Sequence, residues 1–187
     1  MRLRVIAPVV LAGVFALGAC GGSSNKPASS ATTSSTLYKV AAATPSVSAK
    51  MVCEKEAADE IASSLGTHQT RITTPTWSEK DHIYSCTYVY PNGSFTLSVK
   101  EMSSTAETTA YFDSEKSSLG VAQNLFGLGQ GAFIAKNNDV VVRKDYKVLL
   151  VDVSKAPSGT GKFIPAMTRQ DVATNIAAVI MGCWSGA

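Results

Sequence analysis

Two segments of alternating apolar and polar residues flank the turn sequence Pro91-Asn92-Gly93-Ser94. They predict a β-hairpin over residues 83–101, because an Asn-Gly pair suits a two-residue turn in which both central residues have positive φ. With Asn92 and Gly93 as the loop, the pairs on the apolar face are Tyr90–Phe95, Tyr88–Leu97 and Cys86–Val99. The pairs on the other face are mostly polar, which is typical of an antiparallel sheet that buries one face in a core.

Three segments with apolar residues at helical spacing predict helices that pack on this sheet. They span residues 51–65, about 104–118, and 168 onward. The first stops at Gly66, the second opens with the capping box Ser104-Thr105-Ala106-Glu107, and the third has Thr168 as its N-cap. We expect the second helix to bury Ala110, Tyr111 and Leu119.

Further strand-like runs separate these helices and complete the pattern. They lie at residues 71–77, 132–136, 140–143 and 147–153. The predicted fold is therefore α+β, an antiparallel sheet with helices packed on one face, in the order helix–strands–helix–strands–helix.

The N-terminal residues have the layout of a secretory signal peptide. A basic start, Met1-Arg2-Leu3-Arg4, precedes an apolar run from Val5 to Ala16, and small residues follow. The run is shorter than the roughly 20 residues that a transmembrane helix needs, and Pro8 interrupts it. Residues 1–19 are therefore predicted to be a signal peptide rather than a membrane span.

The residues that close this run, Leu17-Gly18-Ala19-Cys20, resemble the lipobox of bacterial lipoproteins. The resemblance implies that Cys20 receives a diacylglycerol thioether and that the peptide is cleaved just before it. The mature protein would then be anchored to the cell membrane, facing the extracytoplasmic side, by two acyl chains, which anchor stably where one does so marginally. A cleaved signal peptide without lipid is the alternative, and the cysteine at this position argues against it.

The chain after Cys20 divides into two parts of different composition. Residues 20–50 consist mostly of Ser, Thr, Ala, Gly and Pro, too few apolar groups to offset the entropy of ordering, and predict a flexible tether. Residues 51–187 carry nearly all of the apolar periodicity and suit one extracytoplasmic domain. Removal of Arg2 and Arg4 with the signal peptide lowers the formal charge from +3 to +1, so we expect no nucleic-acid partner.

The four cysteines are Cys20, Cys53, Cys86 and Cys183. If Cys20 is acylated, three thiols remain in a compartment that permits disulfides, enough for one bridge and one free thiol. We expect Cys53–Cys86, which would tie the first helix to the hairpin. Cys53–Cys183, between the first and last helices, is the alternative, because spacing alone does not decide the pairing.

The glycine-rich segment Gly127-Leu128-Gly129-Gln130-Gly131 is the candidate ligand loop, since such loops often line binding clefts. Its candidate residues are Gly127, Gly129 and Gly131. As a string, the segment resembles a dinucleotide fingerprint, but that motif needs a strand before it and a helix after it. A strand is predicted to follow here, so no nucleotide cofactor is expected.

The sequence offers no catalytic constellation. His68 and His82 are the only histidines and fall in predicted loops, and the carboxylates are scattered. The chain has neither a Gly-x-Ser-x-Gly elbow nor a His-Glu-x-x-His helix, and its cysteine spacing does not fit a zinc site. We expect no catalytic residues, no metal site and no cofactor.

The layout of the whole chain resembles the small lipoproteins of actinobacterial cell envelopes. The resemblance is carried by the lipobox, the Ser/Thr-rich tether, a cysteine opening a first helix that ends in Leu65-Gly66, and a second cysteine in Tyr84-Ser85-Cys86-Thr87-Tyr88. It implies a location and a domain style but no catalytic residues. We therefore expect a non-enzymatic binding module for a small envelope molecule or a protein partner. An envelope enzyme or enzyme accessory with an unrecognised site is the alternative.

Overall fold

The computed structural model describes residues 43–156 and 167–185. The helices are α1 (Val47–Met51), α2 (Lys55–Leu65), α3 (Thr105–Leu119) and α4 (Arg169–Ser185). The strands are β1 (Arg71–Ile72), β2 (Thr76–Ser78), β3 (Ile83–Tyr90), β4 (Gly93–Glu101), β5 (Val121–Leu125), β6 (Gly131–Ala135), β7 (Val140–Lys144) and β8 (Lys147–Asp152). They form one antiparallel sheet in the order β1-β3-β4-β8-β7-β6-β5, with β2 also paired to β3. The predicted α+β class and the predicted order of helices and strands are confirmed.

The central hairpin forms, but its register differs from the predicted one by two residues. Tyr88 pairs with Phe95 and Cys86 with Leu97, so the loop is Pro91-Asn92 and Gly93 already belongs to β4. Asn92 does not adopt positive φ, which excludes the predicted turn type. Pro and Gly in these places suit positions i+1 and i+3 of a type I turn.

The two-residue register shift leaves every side chain on its predicted face, because side chains alternate with a period of two. The face predicted to be apolar is buried at all six positions: Cys86, Tyr88, Tyr90, Phe95, Leu97 and Val99. The burial prediction therefore holds although the pairing prediction was wrong.

Helices cover both faces of the sheet, which corrects the prediction that they pack on one. α2 and α4 pack against each other and lie on the face that carries Leu97 and Leu149. α3 lies on the opposite face, where Phe112 packs edge-on against Phe133 at 5.4 Å between ring centroids. The run Val140-Val141-Val142 is buried at every position, as in strands covered on both sides.

The packed domain begins upstream of residue 51. Ser46 caps α1, its hydroxyl accepting a hydrogen bond from the N–H of Ala49, and Ala49 is fully buried. The predicted helix over 51–65 is thus two helices, interrupted at residues 52–54. The last residues of the predicted tether range, 20–50, belong to the domain, whereas residues 1–42, including Cys20, lie outside the described part.

The helix predicted from about residue 104 is α3, but its buried face differs from the predicted one. Thr108 and Phe112 are buried, whereas Ala110 is exposed and both Tyr111 and Leu119 are half-buried. The Ser104 hydroxyl accepts from the N–H of Glu107 as predicted, while the Glu107 carboxylate accepts from the N–H of Ser103 rather than that of Ser104.

The expected disulfide, Cys53–Cys86, is confirmed. Cys53 and Cys86 form a disulfide with their Cα atoms 6.0 Å apart, and Cys183 is buried outside this bridge. The alternative pairing, Cys53–Cys183, is wrong. The bridge joins the segment between α1 and α2 to strand β3.

The last helix, α4, contacts the first helix, α1. Thr168 caps α4 as predicted, its hydroxyl accepting from the N–H of Asp171. Near the other end of α4, the indole N–H of Trp184 donates to the carbonyl oxygen of Ser48 at 2.9 Å. Among residues 43–156 and 167–185, no helix combines the length and apolar character that crossing a membrane requires.

Candidate functional site

A cleft of about 450 Å³ lies where the β5–β6 loop, the β7–β8 turn and α4 meet. The loop contributes Gly127, Leu128, Gly129 and Gln130. Two of the three predicted loop glycines, Gly127 and Gly129, therefore line a real cleft.

The third predicted residue, Gly131, lies outside this lining. It is the first residue of β6, and a Cβ built on it would lie 3.4 Å from the ring of Phe112, on the α3 side of the sheet. Of the three predicted loop residues, Gly131 is thus the one that does not line the cleft.

The loop has a conformation that depends on glycine. Gly127 and Gly129 have φ of +75° and +59°, in the left-handed region that side chains disfavour. A Cβ on Gly129 would lie 2.6 Å from the carbonyl oxygen of Arg143 and 2.8 Å from Cγ1 of Val142, whereas one on Gly127 would meet no atom within 4 Å. Gly129 is therefore where the loop touches β7, and Gly127 faces open space.

Hydrogen bonds fix this loop to the neighbouring turn. The side-chain amide of Gln130 donates to the Asp145 carboxylate at 3.2 Å, and the N–H of Asp145 donates back to the Gln130 side-chain oxygen at 2.9 Å. The N–H of Gln130 also donates to the carbonyl oxygen of Arg143 at 2.8 Å. Loop and turn thus form one continuous wall of the cleft.

The opposite wall is a small-residue face of α4. Ala178 and Gly182 are both exposed and stand four residues apart, so they lie on one side of the helix. Met181, almost fully buried, lies beside them, and a Cβ on Gly182 would meet no atom within 4 Å. The space of the cleft exists because this face of α4 carries little side-chain volume.

The lining of the cleft is polar and apolar in similar proportion. Leu128 and Met181 pack against the core and offer apolar surface, while Lys144 and Asp145 contribute opposite charges. Within the described residues, the backbone N–H groups of residues 127–129 donate to no carbonyl oxygen of the chain. Successive N–H groups in such turns form concavities that accept anions. The arrangement is suited to binding, and it presents no nucleophile paired with a base.

The other residues singled out from the sequence lie away from the cleft. His68 is exposed, and His82 stacks on Trp77 with ring centroids 5.9 Å apart. Tyr88 is fully buried and its hydroxyl donates to the carbonyl oxygen of Val52 at 2.7 Å; burial raises the pKa of this phenol above its usual range. In the part of the chain that the structure describes, no group of three or more His, Cys, Asp or Glu is placed to hold a metal ion.

No family model, curated protein or solved structure matches the chain, so the site is defined by its geometry alone. The sequence pattern did not identify the residues that the loop faces: Lys144 and Asp145 lie between two predicted strands, and Ala178, Met181 and Gly182 lie in the predicted last helix. A glycine inside an otherwise apolar helix was the one signal that pointed to a surface of low volume at Gly182.

Proposed function

We propose that this protein is an extracytoplasmic lipoprotein, anchored through an acylated Cys20, whose domain binds a small molecule in the cleft between the glycine-rich loop and α4. The observation that carries the binding role is the cleft itself. Its volume of about 450 Å³ falls within the range of small-molecule sites. Its lining offers polar and apolar surface in similar proportion, so it can contact both portions of an amphiphilic ligand.

The anchor is supported by the sequence and by the redox state of the cysteines. Leu17-Gly18-Ala19-Cys20 has the lipobox pattern, and the Cys53–Cys86 disulfide suits an oxidising, extracytoplasmic compartment. Residues 21–45 then link the anchor to the cap of α1 and have the composition of a tether.

The chemistry of the cleft favours a ligand with a polar group and an apolar portion. The opposite charges of Lys144 and Asp145 suit a polar group without net charge, whose oxygen atoms can accept hydrogen bonds from the N–H groups of the loop. Leu128 and Met181 suit an apolar portion of the same molecule. The Asp145 carboxylate is engaged by Gln130 and serves to hold the wall.

The test is native mass spectrometry of the protein extracted with its anchor from its own membrane. Gly182→Phe would fill the cleft from α4 without a backbone clash, because its Cβ direction is open. Ser64→Phe, an exposed position on α2, is the matched control.

We expect the wild type and Ser64→Phe to carry the same additional small-molecule mass, and Gly182→Phe to lack it. A wild-type protein that carries no ligand, or a Gly182→Phe variant that retains it, contradicts the assignment of the cleft. Neither result bears on the anchor, which the mass of the N-terminal peptide reports separately.

A further inference from the structure

A second cavity, of about 110 Å³, lies on the other face of the sheet at the edge of α3. Four aliphatic side chains form its floor: Ile83, Val141, Val148 and Leu150. Lys100, Tyr111 and Glu115 stand at its rim. Because Val141 and Val148 are buried while the rim residues are half-buried, the cavity is a slot that opens toward the surface beside α3.

The floor of the slot is apolar. Protein interiors contain few voids larger than a water molecule. Apolar voids stay dry and take up small hydrocarbons, and a cavity of about 150 Å³ holds benzene. The slot is therefore of the size and chemistry that receive an apolar group of about four to six carbons.

The rim of the slot is a set of polar groups that partner one another. The Tyr111 hydroxyl is hydrogen-bonded to Glu115, one helical turn further along α3, and burial together with that carboxylate raises the pKa of Tyr111 to about 12. The Lys100 ammonium lies 5.6 Å from the centroid of the Tyr111 ring and donates to the carbonyl oxygen of Asp81. The opposite charges of Lys100 and Glu115 favour a head group without net charge.

We propose that this slot binds the aliphatic tail of a small uncharged amphiphile, with the polar head at the rim formed by Lys100, Tyr111 and Glu115. The site is independent of the cleft described above, since the two lie on opposite faces of the sheet and share no lining residue.

The test uses the anchored protein in lipid nanodiscs, so that no detergent competes for the slot. The probes are straight-chain primary alcohols from propanol to octanol, and the readout is the chemical shifts of the Val141 and Val148 methyl groups. These shifts are local, so they separate binding in the slot from partition of the alcohol into lipid.

We expect saturable shifts and an affinity that rises about fourfold per methylene, the factor that corresponds to burying one CH₂ group. The rise should stop near hexanol, and hexanoate and hexylamine should bind more weakly than hexanol. Absent or non-saturating shifts, an affinity that still rises by this factor at octanol, or tighter binding of a charged analogue would overturn the proposal.

Leu150→Phe fills the slot from its floor, where Leu150 is half-buried. If that variant unfolds, Ile83→Phe, at another half-buried floor position, replaces it. Either should weaken hexanol binding at least tenfold, while Ser64→Phe and Gly182→Phe should leave it unchanged. A folded variant at Leu150 or Ile83 that binds hexanol like the wild type would contradict the location of the site.

Discussion

The buried carboxylate of Glu101 accepts hydrogen bonds from both the backbone N–H and the hydroxyl of Ser46. The N–H to Oε2 distance is 3.1 Å, and Glu101 is only 1% exposed. Ser46 also caps α1, so one carboxylate on the central sheet holds the point where the N-terminal segment enters the domain. Glu101 pairs with Lys147 across the two strands. Burial lowers the pKa of Lys147, and the nearby Glu101 carboxylate acts in the opposite direction by raising it.

Removal of this carboxylate should destabilise the fold. We expect Glu101→Gln to lower the free energy of unfolding by about 2–3 kcal/mol, because hydrogen bonds to a charged group are lost and Lys147 loses a nearby opposite charge. Urea denaturation of Ser46→Ala, Glu101→Gln and the double variant measures their coupling. Because Ser46→Ala keeps the backbone N–H, additive effects of the two substitutions would show that the hydrogen bond from the Ser46 hydroxyl contributes nothing.

The disulfide should contribute most of its stabilisation by restricting the unfolded chain. Its cysteines are 33 residues apart, which corresponds to about 3–4 kcal/mol in the loop-entropy model. Urea denaturation of the Cys53→Ala, Cys86→Ala double variant should show a loss of this size. Cys183→Ala, the matched control, should leave the bridge intact, and failure of the bridge to form in that control would contradict the pairing.

Two glycines in the same loop should respond differently to alanine. Gly129→Ala places a methyl group against the carbonyl oxygen of Arg143 and should cost about 2–4 kcal/mol, from positive φ and overpacking together. Gly127→Ala meets open space and should cost about 1–2 kcal/mol, from φ alone. Equal losses in thermal or urea denaturation would show that the loop does not touch β7 as described.

Asp139 should make stability fall as pH rises through the acid range. Burial raises the pKa of its carboxyl above the usual 3.8, although the N–H of Val153 and the side chain of Asn137 donate to it. The folded state therefore holds the proton more tightly than the unfolded state. The stabilisation is complete below pH 3.8 and is lost as pH rises through the higher, folded-state pKa.

The measurement for Asp139 is the urea midpoint as a function of pH for the wild type and Asp139→Asn. The variant should lack this decline. Asp171→Asn is a control of opposite sign, because hydrogen bonds from the Thr168 hydroxyl and N–H hold the pKa of Asp171 below its usual value. The contribution of Asp171 to the free energy of unfolding is present at neutral pH and is lost as pH falls into the acid range. A wild-type profile that Asp139→Asn leaves unchanged would refute the assignment to Asp139.

The parts of the fold that were predictable are those set by local pattern. Alternation placed Cys86 and Tyr88 on the buried face, and the Thr168–Asp171 spacing located the start of α4. The hairpin register was not predictable from Asn-Gly alone, because Pro91 favours a different turn that starts one residue earlier.

The features that sequence reasoning missed depend on contacts between distant segments. The uninterrupted apolar run Val140-Val141-Val142 indicated that both faces of the sheet are covered. Which helix covers the second face depends on chain topology, and the sequence pattern did not identify α3. The glycine-rich loop was identified, whereas the wall that it faces, at Lys144 and Gly182, comes from two elements far along the chain. A cleft is a property of the spacing between elements, and local patterns do not encode that spacing.

The central claim is that a lipid on Cys20 holds a binding domain at the outer side of a membrane. The intact mass of the protein extracted from its own membrane tests it most directly. We predict a chain that begins at Cys20, carries at least a diacylglyceryl group, and retains the Cys53–Cys86 disulfide. A chain that still contains residues 1–19, or one whose Cys20 is an unmodified thiol, would contradict the account.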